Sequence, residues 1–92
     1  MRTSKKGLVS KIRVLKSAPN MLIRFSLIAD DKTYNCLVAN ELVVQRILMM
    51  PENAIFIKVN GYFNKKKQFV VTELCYQTAA KNIDYYRKRA WF

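Results

Sequence analysis

The sequence predicts an all-β fold: a small closed five-stranded barrel with one short helix between the third and fourth strands and a basic, aromatic C-terminal tail. Three observations carry that expectation. Most segments alternate apolar and polar residues with the period of a strand, a single segment carries apolar residues at helical spacing, and the connections are too short for crossovers. The chain has 92 residues, about one small domain with one modest core. Short twisted strands of that number bury their apolar faces only by curling on themselves.

The first strand is read in "GLVSKIRVLK", with Leu8, Ile12 and Val14 on one face and Lys11 and Arg13 on the other. "SAPN" breaks it. In "MLIRFSLIA", Met21, Ile23, Phe25, Leu27 and Ala29 form the core face, while Leu22, Arg24, Ser26 and Ile28 face outward. "DDK" then turns the chain. Asp30 and Asp31 suit a turn, where Asp bonds its own backbone, better than a metal site beside Lys32. The third strand, "TYNCLVA", places Tyr34, Cys36 and Val38 on one side and completes an antiparallel hairpin.

The period changes in "NELVVQRILMM", where Asn40 is a plausible N-cap and Leu42, Val43, Ile47 and Met50 recur at helical spacing. Pro51 ends the helix; the β-branched Val43, Val44 and Ile47 make a strand the competing reading. In "AIFIKVNGYF", Ile55, Ile57, Val59 and Phe63 point inward, and Phe56, Lys58, Asn60 and Tyr62 outward. Gly61 falls at an inward position and marks a bend or a close backbone approach. The turn "NKKK" leads to the fifth strand, "QFVVTELCYQT", whose two faces are both too apolar to assign an inward set. Residues 1–78 are read as the domain and 79–92 as the tail. Strand, strand, strand, helix, strand, strand is the OB-fold order.

Composition narrows the function classes. Seventeen Lys and Arg against six Asp and Glu give a formal charge of +11, a field that makes a polyanion the default partner, nucleic acid first. Half of the residues are hydrophobic, so this is not a disordered polybasic tail. The chain contains no histidine, which removes the commonest general base near neutral pH. Its two glycines, Gly7 and Gly61, are far apart, so no phosphate-cradling loop is supported. The expectation is no enzyme, no catalytic residue, no metal and no cofactor. Cys36 and Cys75 sit in apolar, strand-like runs without a CxxC pair and are expected as buried reduced thiols. With no signal-peptide pattern and no apolar stretch of about 20 residues, a soluble, cytoplasmic protein without a membrane partner is expected.

"RFSLIADDKTYNC" resembles the second and third strands of bacterial single-stranded-DNA-binding proteins, where an aromatic-Ser-Leu-Ala strand turns on acidic residues. "IFIKVNGYFNKKKQFVVTEL" is similar to the fourth and fifth strands of that family, with a late glycine, a basic hairpin and a return strand ending in Thr-Glu-aliphatic. The likeness covers roughly positions 7 to 77 and extends to the related primosomal replication proteins. It implies an OB-fold that binds single-stranded DNA, and a homodimer through the first strand, to which the outward Leu22 and Ile28 of strand two add apolar surface. Three features depart from the family. The single tryptophan, Trp91, lies in the tail, so barrel-face stacking falls to Tyr34, Phe56, Tyr62 or Phe63. The acidic C-terminal tip is replaced by "YYRKRAWF", and the loops are short.

A generic single-strand binder needs cations for the phosphates and aromatic rings for the base faces. The hairpin lysines Lys65, Lys66 and Lys67 flank a groove wall, Tyr62 and Lys58 share the outward register, and Lys11, Arg13 and Arg24 extend the same charge. Phe63 reads as core by alternation. Lysines near exposed β edges also serve simply to discourage strand pairing, which is the plainer reading of "KKK". In the tail, Arg87, Lys88 and Arg89 suit phosphate contacts, and Tyr85, Tyr86, Trp91 and Phe92 suit a docking partner. The expected function is single-stranded DNA binding without strong sequence preference, in DNA replication or maintenance. The alternatives are an accessory interaction subunit of a polymerase, primase or helicase, and an RNA-binding OB module.

Overall fold

The computed structural model describes residues 2–79. It has five strands and one helix in the expected order: β1 (Thr3–Lys16), β2 (Leu22–Ile28), β3 (Thr33–Val38), α1 (Glu41–Leu48), β4 (Ile55–Phe63) and β5 (Phe69–Ala79). The strands close into a barrel in the order β1, β2, β3, β5, β4, all antiparallel except β3 on β5. Closure rests on β1, which pairs with β4 from Thr3 to Leu8 and with β2 from Leu8 to Lys16.

β1 begins four residues earlier than its apolar pattern suggests, and its alternation is broken by a bulge and, near its end, by a second extra residue, Leu15. Lys11 and Ile12 together oppose Phe25, between the pairs Ser10 with Ser26 and Arg13 with Arg24. Lys11 adopts φ 53°, the left-handed conformation that takes up an extra residue. One inserted residue inverts every side chain beyond it. Val9, paired with Leu27, is therefore the inward residue before the bulge, and both are fully buried. Leu8, expected on the buried face, is buried as well, but from the other side of the strand, in register between Ile28 and Phe56.

Bulges also explain why β5 carried no readable face. Cys75 is the extra residue between the pairs of Leu74 with Val59 and Tyr76 with Lys58, and Thr72 the extra one between Val71 with Gly61 and Glu73 with Asn60. The inward set is consequently Phe69, Val71 and Leu74, spaced by two and then by three. Cys75 is exposed rather than buried, because a bulged residue falls out of phase with the core. Cys36 is buried, and desolvation pushes its thiol up to about 12, so it stays protonated and inert near neutral pH.

Helix α1 closes one end of the barrel. The Asn40 side chain accepts hydrogen bonds from the backbone N–H groups of Leu42 at 3.0 Å and Val43 at 3.3 Å, capping donors that would otherwise be unpaired. Val43, Val44, Ile47 and Met50 are buried in the core. The modest helix penalty of β-branched residues, a few tenths of a kcal/mol each, is outweighed by burying them, about 1.5 kcal/mol or more per side chain. Leu42, expected on the buried face, is 73% exposed, and Val44 takes its place. The Asp30 and Asp31 segment is a turn, closed by the Ala29 N–H donating to the Lys32 carbonyl at 3.0 Å. No helix among the described residues is long and apolar enough to cross a membrane.

At Gly61 the β4 backbone approaches β5 so closely that a Cβ would overlap the Val70 carbonyl and stand 3.1 Å from the Phe69 ring. Gly61→Ala is expected to destabilise the barrel by about 1 to 3 kcal/mol, the usual range for overpacking. A lowered urea midpoint in equilibrium unfolding checks this; an unchanged midpoint would contradict the close approach.

Candidate nucleic-acid interface

The lysine hairpin is organised by one side chain. Asn64 Oδ1 accepts hydrogen bonds from the backbone N–H of Lys66 at 3.0 Å and of Gln68 at 2.9 Å, and Asn64 Nδ2 donates to Gln68 Oε1 at 3.0 Å. The Asn64 N–H donates to the Gln68 carbonyl at 2.9 Å, and the Lys67 N–H to the Asn64 carbonyl at 3.0 Å. The turn is thus closed without help from the side chains of Lys65, Lys66 and Lys67, which are left to solvent. Lys67 has φ 64°, where glycine is the usual occupant and another residue costs about 1 kcal/mol. A lysine occupies that position despite the backbone's preference.

Strand register then decides which outward residues meet. Arg13 pairs with Arg24, Arg24 with Leu37, Leu37 with Val70, and Val70 with Tyr62. Paired residues share a face, so these five side chains form one stripe across all five strands, about 19 Å long at the usual strand spacing. Two guanidinium groups stand at one end. Tyr62, 42% exposed, stands at the other beside the lysine hairpin, with the half-buried Leu37 and Val70 between. Next to it runs a row of small polar residues, Ser10, Ser26 and Asn35. Arg13 also meets Glu52 at 3.8 Å, an exposed contact worth less than about 1 kcal/mol and easily exchanged for a phosphate.

The remaining expected site residues are dispersed. Phe56 and Lys58 do face outward, but on the wall where β4 pairs with the N-terminal half of β1 and the end of β5, with Leu8, Lys6, Tyr76 and Thr78 as neighbours. That wall meets β2 through the pairing of Leu8 with Ile28 and continues along the outward face of β4 through Asn60 to Tyr62. Lys11 is exposed at the β1 bulge. Tyr34, expected among the stacking surfaces, is a core residue at 5% exposure, as its shared phase with Cys36 and Val38 requires. Arg87, Lys88, Arg89, Tyr85, Tyr86, Trp91 and Phe92 lie outside the described residues.

The end of the barrel opposite α1 holds residues that the sequence did not mark. Phe63 faces inward as expected, edge-on to Phe69 at 5.1 Å and tilted on Tyr34 at 6.0 Å between centroids. It stands at the rim, so it remains 44% exposed. Lys5 Nζ lies 4.8 Å from the centre of the Tyr34 ring and 5.7 Å from that of Phe63, and Lys32 Nζ lies 5.0 Å from Tyr34, within cation–π range. Lys5 was missed because "TSKK" has no apolar residue to reveal a strand. Its pairing with Val59, an inward residue, is the signal that places it over the rim.

Tyr34 donates its hydroxyl to Asp31 Oδ2 at 2.8 Å. That bond, with backbone donors and the Lys5 charge, holds the Asp31 carboxyl below its ordinary value of 3.8. The folded protein therefore gives up this proton more readily than the unfolded chain does. The contribution is present above about pH 3.8 and is lost as pH falls through the lower folded value. Urea midpoints measured through that acid range are expected to fall less steeply for Asp31→Asn than for the parent, and parallel curves would contradict the assignment.

The closed five-stranded barrel with its helix between β3 and β4 is an OB-fold. No protein-family model matches the chain, and no curated protein matches its sequence. Solved structures do resemble it. The mitochondrial single-stranded DNA binding protein Rim1 from S. cerevisiae superposes with a TM-score of 0.66 at 17% identity, covering 86% of this chain and 94% of that one. A chain of the yeast Stn1 and Ten1 crystal structure superposes with a TM-score of 0.69 at 15% identity, covering 94% of this chain but 48% of its own length. At such identities the likeness is one of fold.

Proposed function

We propose that this protein binds single-stranded DNA without strong sequence preference and without catalysis, in DNA replication or maintenance. The observation that carries the reading is the stripe from Arg13 and Arg24 through Leu37 and Val70 to Tyr62, ending at Lys65, Lys66 and Lys67. It offers phosphate partners at both ends and an apolar, aromatic floor for bases between them, the combination that single strands require. The resemblance of the fold to a single-stranded DNA binding protein supports it. The closed barrel gives β4 and β5 two neighbours each, so the hairpin lysines border less open sheet edge than the plainer role, guarding such an edge, calls for. Residues 79–92 belong to this reading as a basic, aromatic extension, and a homodimer through β1 remains part of it.

Titration with oligo-dT at several salt concentrations tests the proposal. Binding should weaken steeply with salt, by about 0.7 counterions per phosphate contact. Changing Lys65, Lys66 and Lys67 together to Ala should lower the slope by up to about two units. Tyr62→Ala should instead cost about 1 to 3 kcal/mol at every salt concentration and leave the slope in place. No binding at low salt would overturn the reading, and matched RNA oligonucleotides would reveal an RNA module instead.

A second reading, an accessory subunit that holds a polymerase, primase or helicase, is favoured by the likeness to a structure containing two proteins, Stn1 and Ten1. Removing residues 83–92 separates the two. Retained oligo-dT binding with loss of co-purification of a replication enzyme would assign the tail to docking, and a parallel loss of DNA affinity would assign it to the nucleic acid.

A further inference from the structure

We propose that the open end of the barrel is a further nucleotide subsite, in which a base stacks on Phe63 and the adjoining phosphate is held by Lys5 and Lys32. The inference rests on the single-strand reading above and extends the path of the strand beyond Tyr62.

Phe63 is an unusual core-facing residue. Its ring packs on Phe69 and Tyr34, yet the residue is 44% exposed. A ring already held in place loses little entropy when a base stacks on it. Lys5 and Lys32 reach the same spot from different strands: Lys5 from an inward position of β1, Lys32 from the turn before β3. Both ammonium groups lie within 5.0 Å of the centre of one tyrosine ring. Two like charges gathered over an aromatic surface raise the local positive potential, and a phosphate relieves it. The acid at this end, Asp31, accepts the Tyr34 hydroxyl and feels the Lys5 charge, but no salt bridge among the described residues joins it to either lysine, and two cations face this one carboxylate.

The subsite also adjoins the stripe. Tyr62 and Phe63 are consecutive, so they present their rings on opposite sides of β4, with the hairpin of Lys65, Lys66 and Lys67 immediately beyond. A strand laid along the outer stripe reaches Tyr62, passes the hairpin lysines and turns over the rim onto Phe63. Neutral aromatic chemistry alone would suit many ligands. The two lysines beside it and the three along the approach select one that alternates planar bases with phosphates.

The full-length protein is tested with oligo-dT of two lengths, about 4 and about 16 nucleotides, the range that one such barrel covers. Phe63→Leu keeps an apolar side chain on Phe69 and removes the ring. It should weaken binding of the longer oligonucleotide about tenfold at every salt concentration, and alter that of the shorter one far less. Lys5→Gln with Lys32→Gln should lower the salt slope for the longer oligonucleotide by about 0.7, the share of the one phosphate they hold. Independently of any variant, irradiation of the parent bound to bromodeoxyuridine-substituted oligo-dT should give adducts at Phe63 as well as at Tyr62, located by mass spectrometry. Adducts at Tyr62 without Phe63, together with variants that match the parent in affinity and slope, would overturn the subsite and leave single-strand binding standing. A parent that binds no oligo-dT would overturn both.

Discussion

Everything in this barrel depends on β1 serving two partners in succession. Its first residues lie along β4 and the rest along β2, with Leu8 common to both. A strand that changes neighbours must coil, and the bulge at Lys11 and Ile12 supplies the local twist. The same bulge resets the phase, so that Val9 fills the interior on one side of it and Ile12 packs against the core on the other. The loop after α1 secures the released edge: the Asn53 N–H donates to the Val9 carbonyl at 2.8 Å, and Glu52 accepts the Ile12 N–H at 2.7 Å. Without closure, β2 and β3 would not be brought round to β5, and the outward stripe would not exist.

Closure also gives the two ends of the barrel different chemistry. One is sealed by α1 with aliphatic side chains, Val43, Val44 and Ile47. The other is sealed by rings, Tyr34, Phe63 and Phe69, with lysines above them. An aliphatic seal is inert, whereas an aromatic one with cations at its rim is matched to the faces and phosphates of nucleotides. The charge of +11 favours a polyanion, and in the proposed reading this asymmetry distinguishes the end of the barrel that meets it. Gathered cations repel one another in the free protein, so a bound polyanion should also stabilise the fold, by linkage.

Much of the core was legible in the chain. The alternation of "MLIRFSLIA" and of Tyr34, Cys36 and Val38 carries through to buried Ile23, Phe25 and Leu27 and their β3 partners, because neither β2 nor β3 contains a bulge against the other. Legibility failed where an extra residue breaks the period: Leu8 beside the β1 bulge, and the whole of β5, with Thr72 and Cys75 out of phase. Of the candidate site residues, Arg13, Arg24 and Tyr62 fall on one outward stripe that ends beside the hairpin lysines, Phe56 and Lys58 lie further along the outward face of β4, and Tyr34 is inside.

Composition and period alone determined a small barrel of five strands with one capped helix, a strongly positive surface and a glycine where two backbones meet. These follow from local rules: alternation for strands, Asn40 for the helix start, and the balance of charge. Only the tertiary structure decided which outward residues are neighbours, because a stripe across five strands is set by register, and register depends on bulges and closure rather than on any one segment. It alone brought Lys5, Lys32 and Phe63 together, since residues from β1, the turn before β3 and β4 meet only once the barrel has closed.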